Sequence, residues 1–261
     1  MNRKPSRRRR TIIDAHVHIP GSNGDVLGWP APTALAETVA ALDRAGIRQA
    51  VITSVRSTVA KDMQEIRAGN REMLAAVAAY PGRFIGACQV HPAFLAESLA
   101  ELETMRREHG ITWLGELCGY LGNYQYDTPE FAQVIAKAAE LNMIVQIHTT
   151  DIPGLRKLAD AHPQTPFILA HMGGRDDHKA RVQAVKECPN LYVDISGSDI
   201  SRVGILEAYI REAGPDKVLF ATDWIVCDPG IYVHRVNWLD IPEADKEKIF
   251  HGNVERLLRR S

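Results

Sequence analysis

Short apolar runs alternate along the chain with stretches in which apolar positions recur at helical spacing. The runs are Thr11-Ile12-Ile13, Ala50–Thr53, Phe84–Val90, Ile111–Leu117, Met143–Ile147, Phe167–Ala170, Leu191–Ile195 and Val218–Thr222, and each predicts a β-strand. Between them the spacing predicts helices, and the punctuation agrees. Thr33–Ala45 ends at Gly46, Lys61–Tyr80 stops at Pro81-Gly82, and Phe94–His109 closes at Gly110. Pro129–Leu141 carries proline at its start, where a helix has an unused N–H position. Asp151–Ala161, Asp177–Cys188 and Ile200–Ala213 follow, and Ala244–Phe250 and Val254–Arg260 finish the chain.

Strands alternating with helices argue for parallel β-α units rather than a meander. Eight such units in 261 residues predict an α/β protein built as a single closed (β/α)8 barrel, a fold that takes about 250 residues. The rival, an open doubly wound sheet, calls for a glycine-rich phosphate fingerprint after a strand, and the sequence contains none. The predicted domain is 11–261, preceded by a basic segment over 1–10. The Gly/Pro-rich loop Pro20–Pro32 is long enough to lie over a site.

A closed barrel directs attention to the C-terminal ends of its strands, where such folds place their chemistry. The first strand runs out at His16 and His18, two residues apart and therefore on one face. The third ends at His91, the fourth at Glu116, the fifth at His148, the sixth at His171 and the eighth at Asp223. Nitrogen and oxygen donors converging on one rim form a divalent-metal site, with Zn²⁺ preferred and Mn²⁺ or Fe²⁺ tolerated. Each residue also has a plain structural use. His148 needs only one hydrogen-bond partner, Asp223 can cap the next helix, His171 can belong to a turn, and Glu116 can pair with an arginine. His91, before Pro92, is accounted for by a loop alone. The joint pattern is what favours a metal.

Composition narrows the class. With 45% hydrophobic and 24% charged residues the chain is an ordinary globular protein. No apolar run approaches the roughly 18 residues that span a bilayer. Residues 1–10 hold Arg3, Lys4, Arg7, Arg8, Arg9 and Arg10 with no acid, so the rest is mildly acidic. Such a tail can touch nucleic acid or a membrane surface, but a solvated, disordered terminus is the expectation. It runs into Asp14, His16 and His18 without the apolar core of a secretory leader. Cys88, Cys118, Cys188 and Cys227 are far apart with no C-x-x-C, which reads as reduced thiols in a cytoplasmic protein.

Four stretches carry a family resemblance: Asp14-Ala15-His16-Val17-His18, His171-Met172-Gly173-Gly174, Ala221-Thr222-Asp223-Trp224 and the ending Gly252-Asn253-Val254-Glu255-Arg256-Leu257-Leu258. Together they resemble the amidohydrolase superfamily, in its branch of metal-dependent barrel hydrolases and decarboxylases. The resemblance implies that His16, His18, His148 and Asp223 hold or adjoin the metal, and that His171 faces the substrate or a metal-activated water. Glu116 departs from the single-metal pattern. Gly115-Glu116-Leu117 is more similar to the strand-four motif of TatD-like phosphoesterases, so the number of ions, one or two, stays open.

The function expected is hydrolysis of a small amide, lactone or ester, with Asp223 as proton acceptor and His171 polarising the carbonyl. Decarboxylation of a small carboxylic acid is the alternative on the same ligands. The choice rests on Glu116, whose charge repels a substrate carboxylate in a low-dielectric pocket. A TatD-like phosphoesterase and a non-catalytic nucleic-acid-binding protein are further alternatives. Arg56 and Arg175 are candidate grips for a substrate carboxylate or phosphate. Tyr120, Tyr124 and Tyr126 either line the pocket or pack, and nothing makes Cys118 a nucleophile. The expected partner is a small molecule, with no membrane and with nucleic acid disfavoured; a homo-oligomer is left open.

Overall fold

The computed structural model describes residues 10–22, 28 and 30–261. Its strands are β1 (Ile13–Ile19), β2 (Gln49–Ser54), β3 (Phe84–Cys88), β4 (Trp113–Cys118), β5 (Ile144–His148), β6 (Phe167–Leu169), β7 (Leu191–Asp194) and β8 (Val218–Leu219). They lie side by side in chain order, every neighbouring pair parallel. Backbone bonds between β1 and the last strand close the sheet on itself. The Ala15 N–H donates to the Phe220 carbonyl at 2.9 Å and the Asp223 N–H to the His16 carbonyl at 2.9 Å. Val17 bridges Trp224 beyond them. The fold is the (β/α)8 barrel that the alternation predicts.

Twelve helices are described: α1 (Leu35–Ala45), α2 (Val55–Thr58), α3 (Met63–Ala79), α4 (Leu95–Arg107), α5 (Gly119–Gly122), α6 (Pro129–Glu140), α7 (Ile152–Ala161), α8 (His178–Glu187), α9 (Ile205–Glu212), α10 (Pro229–Trp238), α11 (Glu243–Glu247) and α12 (Asn253–Leu258). Their starts follow from local chemistry. Thr128 caps α6 by accepting from the Phe131 N–H at 3.2 Å, and Asp151 caps α7 from the Gly154 N–H at 2.9 Å. The apolar pattern assigns no element over α10, which opens on Asp228-Pro229-Gly230. Here the Asp228 carboxylate takes the Gly230 N–H at 2.7 Å and Pro229 opens the first turn, so the same residues start a helix.

Strand residues divide between two cores. Ile13, Val51, Trp113, Ile144, Ile168 and Leu219 belong to a buried cluster in the barrel interior. Ile52, Leu114, Val145, Leu169 and Val193 belong to the larger cluster between strands and helices, with Phe131, Val134 and Leu206. This is the period-two alternation of a strand covered on both sides. Two strands break it. Register shifts by one residue between Asp14 and Val17 in β1 and between Leu114 and Leu117 in β4. Such bulges re-aim side chains, and these two precede His18 and surround Glu116.

Arg10, the last residue of the basic segment, packs on the barrel. Arg10 donates from Nε to Glu247 at 2.6 Å, also pairs with Glu243, and lies 4.8 Å from the Phe250 ring centroid. It is thus part of the barrel's surface, while residues 1–9 lie outside the described residues. Residues 23–27 and 29 of the expected covering loop also lie outside them; Ser22 donates to Glu72. Among the described residues no helix is long and apolar enough to cross a membrane.

Candidate metal centre

The site is built from the end of β1 outward. His16 is 3% exposed and His18 is 5% exposed, so their ring nitrogens must find partners within the fold. His16 Nδ1 lies 3.1 Å from Asp194 Oδ2, and His18 Nδ1 lies 3.0 Å from Thr53 Oγ1. Both oxygens can accept from an imidazole N–H. With the ring protons on Nδ1, the form that binds a cation, each Nε2 presents a lone pair, and the two Nε2 atoms face one another at 3.1 Å. Asp223 Oδ1 stands 3.3 Å from His18 Nε2 and 3.7 Å from His16 Nε2. Glu116 Oε2 stands 3.4 Å from His16 Nε2 and 3.7 Å from His18 Nε2.

The other Glu116 oxygen faces a second group. Oε1 lies 3.0 Å from His148 Nδ1 and 3.3 Å from His171 Nε2. Neither nitrogen is in hydrogen-bonding alignment, and the buried Oε1 has no hydrogen-bond partner. Burial alone would raise the Glu116 carboxyl, but His16, His148 and His171 outweigh it and hold the group ionised, well below the usual range. Burial likewise opposes a charged His16, yet Glu116 and Asp194 outweigh it and hold its pKa well above the ordinary imidazole value. A buried nest that raises an imidazole this way is short of positive charge. An orphaned carboxylate oxygen and opposed imidazole lone pairs fit a divalent cation.

Two donor residues sit in strained backbone. His171 has φ 65° and Asp223 has φ 62°, in the left-handed region that bulky residues seldom enter. The turn swings each side chain from the strand end back over the barrel mouth. Gly115, at φ 110°, makes room beside Glu116: a Cβ there would lie 2.2 Å from the Gln146 carbonyl oxygen. Gly197 does the same for His171, whose Nδ1 would be 2.6 Å from an added Cβ.

Strand ends one, four, five, six and eight meet as the sequence predicts. His91 does not join them: its Nε2 donates to the Gly122 carbonyl at 2.8 Å and its Nδ1 accepts from the Ala93 N–H at 3.2 Å. The expected ligand set is divided, since His148 groups with Glu116 and His171 rather than with His16, His18 and Asp223. Among the described residues no arginine pairs with Glu116, whose ionic neighbours are His16, His18, His148 and His171. Arg56 and Arg175 are corrected. Arg56 is spent on Glu65 at 2.7 and 2.8 Å and on Glu72 at 3.3 Å, so no N–H fork remains for a substrate. Arg175 is exposed, and neither arginine lines the cavity. Tyr120 does line it, ring to ring with His148 at 5.2 Å. Tyr126 instead ties strand ends, its hydroxyl 2.5 Å from the His148 carbonyl oxygen and accepting from the Gly119 N–H at 2.6 Å. Burial pushes the Cys118 thiol up to about 12, so it is no nucleophile.

The reading from sequence misses Asp194, which is fully buried at the end of β7. It accepts from Gln146 Nε2 at 2.7 Å, the Ser196 N–H at 3.0 Å and the His171 N–H at 3.1 Å, besides His16. The Trp113 indole, a donor only, holds Gln146 Oε1 at 3.0 Å and so fixes which way that amide points. Asp194 is the carboxylate that sets the tautomer and aim of a metal-facing histidine. Its signal was present: a lone acid one residue from the end of an apolar strand run, as at Glu116.

The comparisons with known proteins bear on this geometry. A family model described as amidohydrolase matches residues 13–260. The chain belongs to that amidohydrolase family. It is 32% identical over 124 residues to the gamma-resorcylate decarboxylase of Polaromonas sp., a stretch covering 39% of this chain and 36% of that relative. The barrel superposes on the crystal structure of a 2,6-dihydroxybenzoate decarboxylase from Rhizobium with a TM-score of 0.77 at 18% identity, covering 96% of this chain and 99% of that one. A dihydroxybenzoic acid decarboxylase from Polaromonas sp., with bound manganese and the inhibitor 2-nitroresorcinol, gives a TM-score of 0.75 at 19% identity, covering 96% of this chain and 97% of that one.

These relatives overturn the expectation of hydrolysis, because the amidohydrolase-family proteins that this chain resembles are decarboxylases. The physical reason lies in Glu116. The argument for hydrolysis treats its charge as exposed to the substrate. In the barrel it is 5% exposed and faces His16, His148 and His171, which offset it.

Proposed function

We propose that the protein is a metal-dependent, non-oxidative decarboxylase of a compact aromatic carboxylic acid of the hydroxybenzoate kind. The observation that carries this reading is the cavity over the donor groups. It measures about 290 Å³, and its wall is apolar: Val55, Val59, Leu121 and Val226, with the Tyr120 ring beside them. A single ring fits between such walls and presents its carboxylate to the polar floor of His18, Glu116, His148, His171 and Asp223. A divalent cation on this floor, Zn²⁺ or Mn²⁺, supplies a Lewis acid for the substrate's oxygens.

The remaining work falls to the chain. Decarboxylation breaks the bond between the ring carbon and the carboxyl carbon, leaves the electron pair on the ring, releases CO₂ and adds a proton to the ring carbon. No oxidant or reductant is needed. Asp223 is the carboxyl group suited to hold that proton. It lines the cavity, and its side chain is 12% exposed against 4% for Glu116, so it can be reprotonated from solvent. His171, held through Nδ1 by Ser196 Oγ at 2.9 Å, orients the substrate from the opposite side. The valines exclude water that would otherwise compete for the floor.

The test incubates Mn²⁺- or Zn²⁺-loaded protein with 2,6-dihydroxybenzoate, related hydroxybenzoates, and a matched panel of lactones, esters and amides. CO₂ and the ring product are expected in equal amounts from at least one acid. Turnover of a hydrolysable substrate without CO₂ from any acid overturns the proposal.

A further inference from the structure

We infer that the short helix α5 is the wall that selects the substrate's ring, with Tyr120 as the residue that touches the ring and His91 as the residue that positions the wall. The inference rests on the reading of the cavity as a site for one aromatic ring. It goes beyond that reading by naming the side chains that choose the ring. α5 follows β4 and supplies Tyr120 and Leu121 to the cavity, while α2 follows β2 and supplies Val55 and Thr58. Among the described residues Tyr120 is the one aromatic ring in that lining besides the histidines. It meets the His148 ring edge-on, at an interplanar angle of 79°, and it is 70% exposed. An open aromatic face at the mouth of an otherwise aliphatic cavity is a stacking partner for a ligand ring, and such ring pairs add to the gain from burial.

A helix of four residues does not hold itself in place, because so short a piece has almost no hydrogen bonds to offset the ordering of its backbone. α5 is held from outside, at both ends. At its start the Gly119 N–H donates to the Tyr126 hydroxyl at 2.6 Å. At its end the Gly122 carbonyl accepts from His91 Nε2 at 2.8 Å.

His91 is itself fixed. It is buried, its Nδ1 accepts from the Ala93 N–H at 3.2 Å, and its backbone N–H donates to Ser98 Oγ at 3.1 Å. An imidazole whose Nδ1 accepts carries its proton on Nε2, so Ala93 sets the tautomer that the bond to Gly122 needs. The Phe94 and Tyr124 rings meet His91 edge-on at 5.3 and 5.1 Å. Tyr124 also fills the space beside Gly122, where a Cβ would lie 2.6 Å from its ring. His91 thus follows a strand as the histidines of the floor do, but its ring serves the wall.

The test measures binding of 2-nitroresorcinol to Mn²⁺-loaded protein by calorimetry. This probe has the ring but no carboxylate, so it cannot lose CO₂ and the readout is separate from turnover. Tyr120→Ala should weaken its binding about 10-fold, and Tyr120→Phe should hold it within about twofold. His91→Leu removes the donor to Gly122 and should weaken binding about 3–10-fold, because the wall is no longer preorganised. His91→Gln keeps an N–H near the same place and should restore most of that loss. Mn²⁺ affinity, measured in parallel, should stay at the wild-type value in every variant, since neither residue is among the grouped metal donors. Wild-type protein that does not bind the probe overturns the inference, as does Tyr120→Ala that binds it like wild type. So does His91→Leu that keeps the probe, or that loses the probe and Mn²⁺ together, which would show a loosened fold rather than a displaced wall. Protein that binds the probe through Tyr120 and releases no CO₂ from any acid keeps this inference and loses the proposed reaction.

Discussion

The interior of the barrel and its rim are made from the same strands, and they obey different rules. In the interior, Ile13, Val51, Trp113, Ile144, Ile168 and Leu219 stack into one buried apolar cluster with ordinary strand alternation. A few residues on, the same strands deliver His18, Glu116, His148, His171 and Asp223 to the cavity. There the regularity fails at four of the five: a bulge before His18, another around Glu116, and left-handed backbone at His171 and Asp223. The interior is stabilised by burial, about 25 cal/mol per Å² of apolar surface. The rim collects buried charge and strained backbone, both of which oppose folding. The lesson is a division of labour within single strands, in which a stable lower layer carries a costly upper one.

The sharpest way to break that contrast is to compare Asp223→Asn with Ile168→Ala. Asp223→Asn removes the carboxyl proposed to carry the proton and one cation donor, so activity should fall about 10²–10⁴-fold while the thermal midpoint of the metal-free protein holds. Ile168 is fully buried, and its truncation should cost about 2–5 kcal/mol of stability. Metal stoichiometry in Ile168→Ala should stay at the wild-type value. Urea melts, metal analysis and CO₂ release on the two variants settle it. If Ile168→Ala loses metal as readily as stability, the two layers are not separable.

How much of this could be read from the sequence follows the same boundary. The interior is legible because apolar runs at eight places leave little choice of fold, and the rim's residue types are legible because His16, His18, Glu116, His148, His171 and Asp223 each end a run. What no run length encodes is which way each side chain turns. The bulge between Leu114 and Leu117 sends Glu116 inward between two sets of histidines, and the family resemblance, which places His148 with His16, His18 and Asp223, does not show that it lies beside Glu116 and His171. Arg56 looked available because its partner Glu65 lies nine residues on, across the loop into α3, and Glu72 lies further along the same helix. Asp194 was passed over because the apolar run predicted over Leu191–Ile195 continues past it and reads as core. α10 was missed because a capped proline start and a turn share the same residues.

Asp194 gives the next test, at the seam between the layers. It takes a hydrogen bond from Gln146, which Trp113 of the interior holds in place, and it aims His16 of the rim. In Asp194→Asn one acceptor oxygen becomes an NH₂ group. Where that group replaces Oδ2, the His16 Nδ1–H keeps only Ser196 Oγ, at 3.1 Å, as an acceptor, and the ring gains by moving its proton to Nε2, where it points into the metal site. Mn²⁺ affinity should fall about 10–100-fold, read by calorimetry at fixed pH. Unchanged affinity would show that the rim aims His16 without help from the interior.

The smallest expected effect tests how the rim is held from outside the barrel. Arg181 is 3% exposed and donates to the Thr149 carbonyl at 2.8 Å, to that of His171 at 3.3 Å and to that of Ala170 at 3.4 Å, bracing the ends of β5 and β6. Asp177 anchors it, accepting from Arg181 Nε at 2.5 Å and from the Gly174 N–H at 2.8 Å. Burial would raise the Asp177 carboxyl, but Arg181 and the Gly174 N–H outweigh it and hold its pKa below the ordinary value. A carboxyl lowered in the fold stabilises it above the unfolded pKa of about 3.9, and that stabilisation fades as acid passes through the lower folded value. The Asp177 side chain is 31% exposed, which screens the pair, so Asp177→Asn should cost about 1 kcal/mol at pH 7. The difference from wild type should shrink as the pH drops below about 4. Urea midpoints at pH 7 and near pH 3 measure it. A difference that stays constant between the two would show that Asp177 braces the rim by hydrogen-bond geometry alone, with its charge contributing nothing.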